Sequence, residues 1–385
     1  MTLGVPRLSA LAVLVILAIL WPASLGSVEQ IDPQAFPPAQ AAANQVALPA
    51  DSWRQISHGL PVSTFGDIRS VAAHPSDPNT IYAGFANFQG EYWGVYKTTD
   101  GGQNWSTAST GLPASATVKN LWVDPDNGNV LYADIDYGTY DQRLYRSLNG
   151  AGGWSHLSNA PAGLQDLDIQ GSTLYAASLD GVYKSVTQGG TWSKLDTYPG
   201  NLPVHAVAAR SDSPGVVFAG SYPAYLGLGP LFKSTDGGAH WSEVETIKST
   251  DCSGWPMEID RIHQSTMFVG SICRSVDGGQ TWGVVTPLFF GASSMHVDPR
   301  DNNLVYATTP LVGGKGVLRS TDGGANWDSF NSGLPIKDPR GLGLGPPSSP
   351  GSASVAYVGI YGYGVYTTRP LALAAFSLFL PMIAR

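Results

Sequence analysis

An all-β ring of seven four-stranded blades, closed by its own N-terminus, is the fold this sequence predicts, and three observations carry the prediction. First, one phrase recurs. It reads Thr98-Thr-Asp-Gly-Gly-Gln-Asn-Trp105 and returns at Ser234 to Trp241, Ser275 to Trp282 and Ser320 to Trp327. Worn copies run from Ser147 to Trp154 and from Ser185 to Trp192, so the Trp residues fall 38 to 49 residues apart. Second, an apolar strand–turn–strand phrase precedes it. This is clearest at Val71 to Ala83, Trp122 to Ala133 and His296 to Ala307, with weaker copies at Leu174, Val217, Met267 and Val355. A fixed period of this length is the mark of a repeat architecture, and seven four-stranded units suit a β-propeller. Third, the two ends complement each other. Trp53 opens Trp-Arg-Gln-Ile-Ser-His-Gly-Leu-Pro61, which is how a repeat normally ends, while Ala356 to Thr368 begins a repeat and stops before its hairpin. United, they make one blade and leave no open sheet edge.

Taken in order, residues 1–26 carry one positive charge (Arg7), an apolar run from Leu11 to Leu20 and small residues at Ser24 and Gly26. This reads as a secretory signal peptide, so the protein is expected to be secreted or held in the cell envelope. Residues 27–50 are rich in Pro, Ala and Gln and read as a linker. Residues 51–369 hold the propeller. The 46 Gly and 28 Pro of the 385 residues punctuate many turns, and charged residues make up 13%. Residues 370–385 form an apolar tail broken by Pro381, short for a membrane span. It reads either as a sorting or attachment signal or as a strand packed on the ring. Membrane association through either apolar end stays open, and a monomer is expected.

Within each repeat a short extended run, such as Gly94-Val-Tyr-Lys97 or Gly316-Val-Leu-Arg319, leads into the recurring phrase. Asp-Gly between two such runs is a hairpin signal, because Gly accepts positive φ and the Asp side chain bonds nearby N–H groups. The Ser or Thr adds a local bond and the Trp an apolar clasp. Asp100, Asp236, Asp277 and Asp322, with Asn149 in one worn copy, are therefore read as staples, and Trp105, Trp154, Trp192, Trp241, Trp282 and Trp327 as clasps. No metal and no cofactor are expected. Cys252 and Cys273, the only cysteines, either pair in an oxidising compartment or stay as buried thiols.

The phrase resembles the Asp-box, or BNR repeat, of sialidase-like, sortilin-like and related β-propellers, and the resemblance spans nearly all of the chain beyond residue 50. It implies a hairpin on one rim of each blade, with function on the opposite face. The loops joining second to third strands on that face bring Phe85, Phe88, Tyr92 and Trp93, then Tyr137 and Tyr140, Tyr222 and Tyr225, and Tyr361 and Tyr363. Such aromatics stack on sugar rings or anchor a protein partner; the alternative is that they cover the loops.

Aligning the inner strands on Val71, Leu121, Leu167, Val207, Ile259, Met295 and Leu342 places Arg69, Lys119, Gln165, His205, Met257, Ser293 and Arg340 two residues earlier. Arg340, Arg69 and Lys119 then fall on neighbouring blades at the mouth of the channel. In a chain of net charge −8, they suggest a local anion site, unless each is paired with an acid such as Asp67, Asp134 or Asp338.

A sialidase-like enzyme would carry an Arg-Ile-Pro motif, which is absent; Arg69 is followed by Ser70. His74-Pro-Ser-Asp-Pro-Asn-Thr-Ile-Tyr-Ala-Gly84 is similar to phrases in xyloglucanase-like enzymes, which use two carboxylates across a cleft between two propellers. Asp67 and Glu258 are the candidate pair here, with Asp134, Asp136, Asp141 and Asp166 also on that face. The chain also resembles the photosystem II assembly-factor type of propeller, an exported single ring that binds protein. The expectation is a non-catalytic module binding protein or glycan, with glycoside hydrolysis as the alternative. Nucleic acid is not expected, given the acidic balance and no broad basic stripe.

Overall fold

The computed structural model describes residues 52–369 apart from 62–65, 87–93, 115, 137–141, 196–202, 222–228, 245–255, 262, 271–272, 285–291, 310–314 and 336–337. The segments read as signal peptide, linker and apolar tail lie outside the described residues.

Seven antiparallel sheets of four strands each make the seven blades of a propeller. Blade 1 runs Asp67–Ala73, Ile81–Ala86, Val95–Thr98 and Ser106–Thr107, and blades 2 to 6 repeat the order. Blade 7 takes three strands from the end of the chain, Pro339–Gly345, Val355–Ile360 and Gly364–Thr367. Its fourth is Arg54–Gln55, Arg54 opposite Thr367 and Gln55 opposite Tyr366. The inner strands of blades 7 and 1 touch, and the ring closes there.

The second strand of each blade is covered on both faces by its neighbours, which is why Ile81–Ala86 and Val355–Ile360 are buried at every position. Each carries a large aromatic at one level: Tyr82, Tyr132, Tyr175, Phe218, Phe268, Tyr306 and Tyr357, all buried. Opposite them on the inner strands stand Ala72, Trp122, Asp168, Ala208, Glu258, His296 and Gly343. This register corrects the alignment of blade 5. Met257, not Ile259, is the equivalent of Val71. The inner strand there is only Met257–Ile259, and sliding a strand by two residues preserves its apolar alternation. Phe85 is also corrected: it is fully buried between blades rather than presented on a loop.

A cation at the third strand ties blade to blade. Lys97 lies 5.5 Å from the Tyr82 ring centre and donates to the Gly150 carbonyl of blade 2 at 2.9 Å. Lys233 does the same over Phe218 to Gly278, Arg146 donates to Gln188, and Arg369 reaches back to Pro78 and Asn79 of blade 1.

The recurring hairpin has one bonding pattern. Thr98 Oγ1 donates to Asp100 and accepts from the Gly102 N–H, while Asp100 accepts from the Asn104 N–H. The same set recurs from Ser234, Ser275 and Ser320, and the worn copies keep it with Asn149 and Thr187. The indole N–H of Trp282 is buried without a hydrogen-bond partner, and the others have two fates. Trp192, Trp241 and Trp327 bond a glycine carbonyl of their own hairpin. Trp53, Trp105 and Trp154 bond the preceding blade, at Phe330, Ile56 and Ala108. Those three follow blades that end in Gly-Leu-Pro, and the glycine of that phrase (Gly333, Gly59, Gly111) lies against the backbone of the Trp.

The worn copies hold non-glycine residues at positive φ: Ala151 at 64° and Gln188 at 52°. Gln188 contributes its carbonyl, not its side chain, to the bonds from Tyr132 and Arg146. Gln188→Gly should therefore relieve left-handed strain, partly offset by added chain entropy, for a gain of about 0.5–1 kcal/mol. A thermal melt would show it as a rise of about 1–3 °C.

Cys273 is buried and held in a disulfide; Cys252, the one other cysteine in the sequence, lies outside the described residues, and its pairing with Cys273 is a proposal.

Candidate functional site: the central channel and its mouth

The inner strands of all seven blades line a central channel of about 950 Å³. They start at the face opposite the recurring hairpins. There a β-bulge occurs at the same place in four adjacent blades: between Pro339 and Gly341, Ile68 and Ser70, Val118 and Asn120, and Leu164 and Asp166. A bulge leaves one residue without a ladder partner and re-aims its side chain. The residues so released are Arg340, Arg69, Lys119 and Gln165, and all four line the channel.

These cations are not bare. Arg69 Nε is 2.8 Å from Asp67 and Arg340 Nη2 is 3.1 Å from Asp338, each acid buried two residues back. The two arginine side chains remain 47% and 46% exposed, so the rest of each guanidinium fork faces the mouth. Arg340 also lies 5.6 Å from the Tyr361 ring centre. Lys119 Nζ reaches the Leu164 carbonyl of blade 3 at 3.4 Å. Near it Asp134 is fully buried; neither oxygen has a hydrogen bond of good geometry, and the Asn120 side chain is the one polar neighbour that favours its charge besides Lys119. Burial pushes its carboxyl up to about 7, with Lys119 and Asn120 pulling the other way.

Deeper in the channel, Asp168, Glu258 and His296 stand at one level. His296 Nδ1 is 3.7 Å from Glu258 Oε1, and its Nε2 is 3.1 Å from the Leu342 carbonyl. Burial opposes its charge, but Glu258 and the Leu342 carbonyl outweigh that and raise its pKa. Arg261 Nη2 is 3.8 Å from Asp168. Asp166 and Asp168 cap the inner-strand edge of blade 4, accepting from the Val207 and Ala209 N–H groups. Burial pushes Asp166 up to about 7 and raises Asp168 too, Arg261 opposing the latter.

The structure thus brings Arg340, Arg69 and Lys119 to one mouth and leaves the proposed acid pair apart. Asp67 is clamped by Arg69 outside the channel lining, whereas Glu258 lies in the channel beside His296. Phe88, Tyr92, Trp93, Tyr137, Tyr140, Tyr222, Tyr225 and Asp141 lie outside the described residues. Tyr361 is half-buried and Tyr363 exposed. Sequence reading missed Asp168, Arg261 and His296. The available signal was charge inside an apolar inner strand, as in Leu164-Gln-Asp-Leu-Asp-Ile169.

No family model matches the chain. A xyloglucanase of a Paenibacillus species is 22% identical over 269 residues, 56% of this chain and 26% of the relative. The chain thus spans about a quarter of that protein's length. Among solved structures, a GH74 enzyme of Niastella koreensis superposes with a TM-score of 0.55 and 18% identity, over 82% of this chain and 59% of that one. The structure of YCF48 bound to D1 peptide gives 0.55 and 16%, over 84% and 99%. At these identities the likeness to the solved structures is one of fold, a β-propeller of the same build.

Proposed function

We propose that the chain is an exported, non-catalytic propeller that binds a protein segment or a glycan at the bulge-built mouth, using Arg340, Arg69 and Lys119 with Tyr361 beside them. The observation that carries this reading is the state of the carboxylates. Asp67 and Asp338 are held by arginines, Asp166 and Asp168 by backbone amides, and Glu258 stands beside His296. Glu258 does act across the channel on Asp166 and Asp168, adding to the rise that burial gives both. Each of these acids is already engaged, whereas glycoside hydrolysis uses one acid to protonate the leaving oxygen and a second carboxylate to attack or to activate water. The exposed guanidinium edges suit carboxylate or other acidic groups on the ligand. A ring of the same build has been solved with a peptide bound. Export rests on the signal-like residues 1–26, and the hairpins are read as Asp-box staples.

A second reading, glycoside hydrolysis, is favoured by the xyloglucanase relative. Both are tested by incubating the chain with a panel of polysaccharides, sialosides and acidic peptides, measuring bound mass and released reducing sugar. Binding without release is expected, weakened about tenfold or more when Arg69, Lys119 and Arg340 are together replaced by Gln, with folding checked by melting. Release that disappears in Asp67→Asn or Glu258→Gln would establish the hydrolase instead.

A further inference from the structure

The inner strands of neighbouring blades belong to different sheets, so side chains do much of the closing across each seam. Two side chains at such seams, His296 on an inner strand and Asp134 on a second strand, are titratable and poorly placed to lose a proton.

His296 is the first. It stands on blade 6 with an oxygen near each ring nitrogen: Glu258 Oε1 of blade 5 at Nδ1, and the Leu342 carbonyl of blade 7 at Nε2, with Ser294 Oγ at 3.3 Å. An imidazolium donates to the Leu342 carbonyl and pairs by charge with the Glu258 carboxylate, whereas a neutral ring keeps at most the hydrogen bond. Protonated His296 therefore bridges three blades. Around it, blade 5 supplies Glu258 and Arg261, blade 7 the Leu342 carbonyl, and its own sheet Tyr306 in the facing position.

Asp134 is the second. At its register position blades 1, 3, 4 and 7 carry Gly84, Ala177, Gly220 and Gly359. Its strand direction puts it on the side of Tyr132, which packs with Leu144, Leu164 and Leu167 at the seam to blade 3. The charged groups near it are Lys119 on the inner strand and Asp136 on its own strand. Burial outweighs Lys119 and the Asn120 side chain, which favour its charge, so the neutral acid suits the place better than the carboxylate.

We propose that these seams form a proton-operated latch, in which Asp134 as a neutral acid keeps blade 2 packed on blade 3 and His296 as an imidazolium ties blade 6 to blades 5 and 7 in mildly acid medium, both contacts loosening as the pH rises through neutrality. The directions agree. A carboxyl raised by burial makes the folded ring bind more protons than the unfolded chain, so its contribution is lost as pH climbs from the ordinary carboxyl range to about 7. A histidine raised by its acceptors contributes fully below its ordinary 6.5, and that contribution is lost as pH rises through the folded value. Asp166, raised to about 7, and Asp168, also raised, add in the same sense. The hairpin acids act at the other limit. Asp100 and Asp236, held down to about 2 by bonds from Asn104 and His240, lose their contribution only as pH falls below about 4.

The test is thermal unfolding of the whole chain at pH 5 and pH 8, with Asp134→Asn, Asp134→Ala and His296→Gln beside the parent. The parent should melt several degrees lower at pH 8. Asp134→Asn should recover several degrees at pH 8 and change little at pH 5, and His296→Gln should lower the pH 5 value more than the pH 8 value. Should both Asp134 variants fail to fold, potentiometry decides: unfolding the parent at pH 6.5 should release protons. Melting that is flat or rises from pH 5 to pH 8, or proton uptake on unfolding at pH 6.5, would overturn the latch.

Discussion

Trp53→Ala is expected to lower the stability of the whole ring by about 3–5 kcal/mol. Trp53 is 3% exposed and packs on Phe330 with ring centres 5.4 Å apart. Its indole donates to the Phe330 carbonyl at 2.8 Å, and its backbone N–H to Ser332 at 2.8 Å. These bonds dock the two-residue strand that completes blade 7, so truncation leaves a cavity, an unpaired carbonyl and an insecure fourth strand together. A closed ring has no independent blade to fall back on; the loss should appear as one cooperative shift of the whole denaturant curve, with m unchanged. Trp327→Ala is the internal control. Trp327 occupies the same place in blade 6 but is only half-buried and bonds its own hairpin, so its removal should cost less. Equal losses from the two would mean that closure by the N-terminus adds nothing beyond an ordinary clasp.

The second large effect is expected where the ring meets itself. Blade 7 presents Arg340-Gly-Leu-Gly-Leu-Gly345 to blade 1. A Cβ on Gly341 would stand 2.8 Å from the Arg69 carbonyl oxygen, and one on Gly343 would press on the Val71 carbonyl. Backbone meets backbone there, and no flexible side chain can yield. Gly341→Ala with Gly343→Ala should therefore push the two inner strands apart and destabilise the ring by about 3 kcal/mol or more. Because Arg340 and Arg69 are carried by these same two strands, the mouth should widen as well. Ligand binding should weaken in the double variant even at temperatures where it stays folded. A melt unchanged from the parent's would show that the strands separate without strain.

Much of this was legible in the chain. The recurring phrase, its period and the split repeat at the two ends sufficed for blade number and closure, because a hairpin's turn residues and a strand's alternation are local properties. The choice of Trp partner was legible too, although only in retrospect, in the Gly-Leu-Pro that ends blades 1, 6 and 7. Blade 5 is the part the sequence leaves open: three residues with a two-residue period make the register degenerate, so the depth of Glu258 in the channel is not legible from the chain.

The sequence by itself determined a seven-bladed ring, the strand order within each blade and the presence of cations two residues ahead of the inner-strand core. Those follow from spacing, turn chemistry and apolar period. Only the tertiary structure decided what the cations face, that bulges in four adjacent blades release them and Gln165, and that Asp168, Glu258 and His296 meet at one depth. The bulges depend on the register between paired strands, and the meeting of Asp168, Glu258 and His296 on contacts between blades, across seams where no backbone ladder runs. The physical reason is that a repeat specifies its own interior, whereas the channel is made of what seven repeats present to one another.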